Sequence, residues 1–325
     1  MYYGIDIGGS KMAWAVFDEQ GQELARQVCA TPQHSYANLR QCIRTWVKEA
    51  DDRWQTKGRL GIGIPGIREA SGRVLAANVP SIHGQYLAAD LAQDLDRCVV
   101  ADNDANCFLL SESVGGAAAD AKLALALTLG TGVGGAVIHQ GKLVNSARGS
   151  SGEFGHGGIQ ASLLARYPNL PLFTCGCGQV GCLETYVSGT GLANLYQHLV
   201  NSADQATSPS TDVSTKVVAT KPVAAKLAGP AIIHAWQQGE ALAAECVDMY
   251  VDILASALAN LMTQLDPDIV VLGGGLSEQA WLYEQLNARI PKYLMRHVSA
   301  VPVVAAHFGG SGGVRGAALL AKCGA

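Results

Sequence analysis

Two bare turns carry the first sign of chemistry in this chain. Asp6-Ile7-Gly8-Gly9-Ser10-Lys11 sets a carboxylate at the end of an apolar run. A turn without side-chain bulk follows, then a hydroxyl and an ammonium. Leu129-Gly130-Thr131-Gly132-Val133-Gly134-Gly135 repeats the bare turn. Glycine lets backbone N–H groups approach phosphate oxygens, and the N–H groups of a turn form an anion-binding concavity. Lys11 can neutralise phosphate, and Asp6 can hold Mg2+ through water. Glycines also make plain hairpins, so one such turn would say little. Two at corresponding places, one with Asp and Lys, point to phosphate binding at Gly8, Gly9, Ser10, Lys11, Gly130, Thr131, Gly132, Val133 and Gly134. Neither is a Walker A loop, and no strand–G-x-G-x-x-G–helix unit occurs.

A second carboxylate lies in Asn103-Asp104-Ala105-Asn106, between an apolar strand and an expected helix, Ala105–Ser113. Either Asn103 or Asp104 could be a plain N-cap. One cap does not need both residues. Phosphoryl transfer needs one carboxylate that takes a proton from the acceptor hydroxyl, and Asp104 suits that role. Further on, Cys175-Gly176-Cys177-Gly178-Gln179-Val180-Gly181-Cys182 holds three thiols in a glycine-rich loop. His156, in Gly152-Glu153-Phe154-Gly155-His156, is the nearest upstream fourth donor for a closed tetrahedral zinc site. Such a site would pin a loop that has no core of its own. Reduced thiols or a redox pair are the alternatives, and the glycine-framed C-x-C favours zinc. Glu153 and Glu184 flank this loop. Glutamates are usually just solvated, but carboxylates also suit vicinal sugar hydroxyls. Spacing alone does not choose.

The elements that must position these groups repeat. Tyr2–Ile7, Met12–Phe17 and Gln22–Val28 read as strands joined by Gly8–Lys11 and Asp18–Gly21. Tyr36, Leu39, Ile43, Trp46, Val47 and Ala50 recur at helical spacing. Leu60–Ile64 and Cys98–Ala101 are short buried strands. The order then returns: strand Leu123–Leu129, glycine turn, strand Ala136–His139, Gln140-Gly141, strand Lys142–Val144. A helix over Glu245–Met262 and a strand over Asp268–Leu272 follow, the latter closing at Gly273-Gly274-Gly275. This is a duplication at domain scale. A small-residue boundary over Val114–Lys122 gives a first domain of residues 1–118 and a second of 119–311, with a helix from 312 packing back on the first. The Ser/Thr-rich stretch 201–222 reads as a surface insertion. Cysteines 29, 42, 98, 107, 246 and 323 read as core filler.

Composition narrows the classes. The 325 residues are 49% hydrophobic and 15% charged, with 38 glycines and a net charge of -4. Nothing here suits nucleic-acid binding. So little surface charge is compatible with a buried subunit interface, and a homodimer is expected. The start of the chain has no basic region followed by an apolar one. The longest apolar stretch, 123–138, is interrupted by glycine and falls short of the about 20 residues that a membrane span needs. A cytoplasmic protein without membrane contact is expected. Nine cysteines, an odd number, argue against a disulfide framework.

Taken together, Asp6–Lys11, Gly61–Gly66, Asn103–Cys107, Leu129–Gly135, Gly152–His156, Cys175–Glu184 and Gly273–Leu276 resemble the ROK sugar kinases. These belong to the actin-like, hexokinase-like superfamily. The resemblance implies an α/β fold of two duplicated, ribonuclease H-like domains with the active site in the cleft between them. ATP and Mg2+ would serve as cofactors beside a structural zinc ion held by His156, Cys175, Cys177 and Cys182. The ATP phosphates would lie between the two glycine turns, and Gly274 and Gly275 would border the nucleoside. Asn78, Asn103, Asp104, Glu153, His156 and Glu184 would hold the sugar, with Asp104 as general base. Ala76–Pro80 and Glu153–His156 look most like members that phosphorylate N-acetyl-D-glucosamine at its 6-hydroxyl. Glucose, fructose and N-acetylmannosamine are the alternatives. Sugar-sensing repressors of the family carry a DNA-binding domain ahead of the kinase-like body. The phosphate turn starts at Asp6 here, so a non-catalytic sensor is the lesser expectation.

Overall fold

The computed structural model describes residues 1–144, 149–206 and 227–323. Alternating apolar residues shape the first three strands, β1 (Tyr2–Ile7), β2 (Lys11–Phe17) and β3 (Glu23–Ala30), into an antiparallel meander. The Asp18 carboxylate accepts from the N–H groups of Gln20 and Gln22, which closes the second turn. Helix α1 (Tyr36–Trp54) is capped by the Ser35 hydroxyl and buries Leu39, Ile43, Trp46, Val47 and Ala50. These are the positions picked out by helical spacing. Next come β4 (Arg59–Ile64), the small hairpin β5 (Ile67–Arg68) and β6 (Val74–Leu75), α2 (Leu87–Leu95), β7 (Val99–Asn103) and α3 (Asp104–Ser113). The strand order is β3-β2-β1-β4-β7, and β4 runs parallel to both β1 and β7. Asp6 pairs with Gly63, and Gly63 with Asp102. The C-terminal ends of β1 and β7 therefore share one sheet edge, and that edge carries Asp6 and leads into Asp104.

The same plan returns in β8 (Leu123–Leu129), β9 (Val133–His139) and β10 (Lys142–Leu143). Gln140 and Gly141, at φ 51° and 74°, make the tight turn between the last two. Helices α4 (Ala161–Arg166), α5 (Glu184–Val187), α6 (Gly189–Ala206), α7 (Gly229–Gln237) and α8 (Ala241–Leu265) precede β11 (Ile269–Gly273). Then follow α9 (Ala280–Arg289), β12 (Val303–Ala305) and α10 (Gly312–Cys323). The second sheet runs β10-β9-β8-β11-β12, strand for strand the order of the first. The expected duplication is thus visible in the topology.

The chain forms two compact units: Met1–Ala126 with Gly135–Gly152 and Ala305–Ala325, and Leu127–Gly134 with Glu153–Val304. Neither is one continuous stretch. Residues 119–126, 135–152 and 305–311, grouped with the second domain from composition, fall in the first unit. Composition marks a flexible-looking joint but not where the returning chain packs. Two further readings change. Residues 201–206 are the last turns of α6 rather than insertion, and Asn201–Asp204 are exposed because they lie beyond its packed part. Residues 207–222 of that stretch lie outside the described residues. Of the six cysteines read as filler, Cys107 and Cys246 are buried, Cys29 and Cys42 half-buried, and Cys98 exposed just ahead of β7; the Cys323 side chain lies outside the described residues. No helix among the described residues is long and apolar enough to cross a membrane.

Helix α10 packs on β1, β4 and α3, backbone against backbone. A Cβ on Gly4 would stand 2.0 Å from the Val314 carbonyl oxygen, and one on Gly61 would stand 1.8 Å from that of Ala317. One on Gly316 would stand 1.7 Å from the Cys107 carbonyl oxygen. Overpacking of this kind costs about 1–3 kcal/mol or more. Gly61→Ala should therefore destabilise the protein by at least about 2 kcal/mol in urea unfolding. Gly310→Ala, with open space around its Cβ, should stay within about 0.5 kcal/mol of the parent. Equal midpoints for the two variants would refute this packing.

Candidate active site

In the first unit the functional side chains gather where β1 and β7 end. The turn after β1 is closed by Gly8 N–H donating to the Lys11 carbonyl at 2.9 Å. Asp6 is largely sunk into the fold, and burial pushes its carboxyl up to about 6 against the pull of Lys11 and Arg26. Gly313, at the start of α10, is pressed so close that a Cβ there would lie 2.6 Å from Asp6 Oδ2. This neighbour comes from the far end of the chain and left no signal near Asp6. At the end of β7 the N-cap role falls to Asn103. Its Oδ1 accepts from Ala105 N–H at 2.9 Å and Asn106 N–H at 3.4 Å, and its Nδ2 donates to the Gly66 carbonyl at 2.8 Å. Asp104 is the first helical residue, and one of its oxygens accepts from Ala105 N–H at 2.8 Å. Beneath it, buried Asp102 accepts from Asn103 N–H at 2.7 Å and Asn106 Nδ2 at 2.8 Å. Burial raises its carboxyl above the usual range. Asn78 is exposed, and its carbonyl oxygen would sit 3.4 Å from a Cβ on Gly9.

In the second unit the turn after β8 is tied to the cysteine loop. Gly130 N–H donates to the Gly132 carbonyl at 3.0 Å, and Gly189 N–H donates to that of Gly130 at 2.7 Å. Val133 N–H donates to Glu184 Oε2 at 2.8 Å. The Val133 N–H is thereby engaged, although the motif alone offers it to phosphate. Among the described residues, the N–H groups of Thr131 and Gly132 have no such acceptor. Gly132 lies close under this carboxylate: a Cβ there would stand 2.4 Å from Glu184 Oε2 and displace it. Gly274, at φ 82°, packs on the Leu129 backbone, while the space around Gly275 is open.

His156, Cys175, Cys177 and Cys182 come together with all four donor atoms within 4.8 Å of one another. Cys175 Sγ lies 3.6 Å from His156 Nδ1, and Cys177 Sγ lies 3.6 Å from Cys182 Sγ. Tetrahedral zinc, with Zn–S about 2.3 Å and Zn–N about 2.0 Å, requires donors about 3.4–3.8 Å apart. The residues present therefore fit such an ion. Cys175 Sγ also approaches Glu184 Oε1 at 3.8 Å, and His156 Nε2 faces Glu153 Oε2 at 3.7 Å. Burial raises the Glu153 carboxyl, Glu184 adds to the rise, and His156 opposes it. One cluster thus orders both flanking glutamates and, through Glu184, the second glycine turn. Reading along the chain places Glu184 beside the cysteines but does not reveal its link to Val133.

The ROK family model matches residues 2–323. The chain is 41% identical to the N-acetyl-D-glucosamine kinase of Salmonella newport (strain SL254) over 322 residues, 98% of this chain and 99% of that one. It is 42% identical to the kinase of the same name from Escherichia fergusonii over the same shares. Among solved structures, a ROK hexokinase from Thermus thermophilus superposes with a TM-score of 0.80 at 27% identity, covering 99% of this chain and 98% of that one. A ROK family glucokinase from Streptomyces griseus, in complex with glucose and AMPPNP, superposes with a TM-score of 0.75 at 27% identity over 99% of both chains.

The raised Asp6 carboxyl has a consequence for stability. Between its ordinary value of 3.8 and about 6, the folded protein binds the proton more readily than the unfolded chain. Stability is then lost as pH rises through that window. Asp6→Asn should stabilise the ligand-free protein at pH 7.5 by up to about 3 kcal/mol. Below about pH 3, where Asp6 is largely protonated in both states, the gain should all but disappear. Urea titrations of both proteins at the two pH values check this; a variant less stable at pH 7.5 contradicts it.

Proposed function

This chain belongs to the ROK family, and we propose that it transfers the γ-phosphoryl group of ATP to the 6-hydroxyl of N-acetyl-D-glucosamine. The observation that carries the reading is the near full-length identity with N-acetyl-D-glucosamine kinases. It is supported by Asn103 acting as the N-cap of α3, with Asp104 the first helical residue at the sheet edge shared with Asp6. In this reading Asp104 accepts the proton of the 6-hydroxyl as that oxygen bonds to the γ-phosphorus and the bond to ADP breaks. Lys11 and the N–H groups of Gly9, Ser10, Thr131 and Gly132 hold the phosphates. Asp6 is the carboxylate for Mg2+, which when bound supplies charge neutralisation at the phosphates. Gly274 and Gly275 border the nucleoside, and Asn78, Asn103, Glu153, His156 and Glu184 bind sugar hydroxyls or the acetamide.

His156, Cys175, Cys177 and Cys182 would hold structural zinc through His156 Nδ1, leaving Nε2 beside Glu153. That arrangement sets the imidazole tautomer and keeps Glu153 and Glu184 in place. The proposed assembly is a homodimer working in the cytoplasm, where ATP is supplied.

A sugar panel at saturating Mg-ATP tests the substrate: kcat/KM for N-acetyl-D-glucosamine should exceed that for glucose by at least ~10-fold. In the same assay Asp104→Asn should lower kcat by ~10²–10⁴ with KM little changed. A lead for glucose, fructose or N-acetylmannosamine overturns the substrate, and a kcat within tenfold of the parent overturns the base. Metal analysis of active protein purified without added zinc should find about one equivalent per chain; metal-free active protein excludes the zinc site.

A further inference from the structure

A turn that binds phosphate must also keep its own carbonyl oxygens away from the anion. In Gly8–Lys11 every carbonyl has a partner. The Lys11 oxygen accepts from Gly8 N–H at 2.9 Å, and the Ser10 oxygen accepts from Thr31 N–H at 3.1 Å. The Gly8 oxygen accepts from the Thr31 hydroxyl at 2.7 Å, and the Gly9 oxygen from Gln33 Nε2. By contrast, the N–H groups of Gly9 and Ser10 have no acceptor among the described residues. Pairing of Lys11 with Ala30 brings the chain just beyond β3 alongside the turn. Thr31 is buried there and Gln33 half-buried.

In a planar trans peptide the N–H points opposite to the C=O of the same unit, and no peptide bond here is cis. Holding the carbonyls of Gly8, Gly9 and Ser10 therefore aims the N–H groups of Gly9, Ser10 and Lys11 the other way. We infer that Thr31 and Gln33 are positioning residues for phosphoryl transfer, holding the phosphate turn by its carbonyl side so that its N–H side faces the nucleotide. The inference rests on the phosphate-binding reading of this turn. Neither side chain needs to touch the nucleotide.

The test compares Thr31→Val, Thr31→Ser and Gln33→Ala with the parent. Kinetics are run against Mg-ATP and sugar, with calorimetric binding of ADP and of adenosine. Thr31→Val should raise the KM for Mg-ATP and weaken ADP binding by about tenfold, the scale of one lost oriented hydrogen bond. Adenosine and sugar binding should stay within twofold. Thr31→Ser should restore the Mg-ATP value, and Gln33→Ala should move it in the same direction as Thr31→Val. A merely structural role would weaken all ligands alike. If Thr31→Val fails to fold, Gln33→Ala carries the same comparison.

Phosphate-dependent binding within twofold of the parent in the folded variants, or equal losses for adenosine and ADP, overturns the inference. Lys11→Ala separates the two layers. If it cripples ATP use while Thr31→Val and Gln33→Ala do not, the positioning role alone is wrong. If it too leaves ATP use intact, the phosphate reading of the turn falls and the inference with it.

Discussion

Close backbone contact between α10 and the first sheet is the constraint on which the first unit depends. Gly4, Gly61 and Gly316 remove the side chains that would hold α10 away from β1, β4 and α3. With that spacing set, the start of α10 arrives at Asp6 through Gly313, and α3 is held with its N-terminus at the end of β7. The carboxylates assigned to metal and to proton transfer, Asp6 and Asp104, sit at strand ends on one sheet edge as a result. Parallel β1, β4 and β7 supply that common edge, and carboxyl ends of parallel strands are where open α/β sheets bind ligands.

Each unit holds carboxylates against their solvation preference. Asp6, Asp102 and Glu153 are all pushed upward chiefly by burial. Such groups weaken a fold, and a chain keeps them where their charge or proton is needed. Asp102 differs from the other two. Its hydrogen bonds to Asn103 N–H and Asn106 Nδ2 spend it on fixing the first turn of α3, from which Asp104 projects.

Around the cysteine loop of the second unit one small cluster does the organising that a hydrophobic core does elsewhere. The loop from Cys175 to Cys182 contains four glycines or polar residues for every apolar one, so it cannot hold itself by burial. Its bridges from Thr174 to Val180 and from Gly158 to Cys182 bring three sulfurs to His156. From there Glu184 reaches Val133 and Glu153 meets His156. A disturbance at the cysteines would thus reach the glycine turn through Glu184.

Local physics made much of this legible in the residues alone. Bare glycine turns, alternating strands, the apolar stripe of α1, the cap residues ahead of α3 and the crowded cysteines each act within a few residues. Their neighbours in sequence are also their neighbours in space. The duplication was readable for the same reason, since it repeats those local signals in order. Tertiary structure alone decided which atoms were already occupied. It tied Val133 N–H to Glu184, 51 residues away, and Gly8 to the Thr31 hydroxyl, 23 residues away. It also divided the two units across the middle of β8 and β9 and set Gly313 against Asp6. Such contacts depend on how sheets and helices pack once formed, and hydrogen-bond capacity leaves no periodic trace in the sequence.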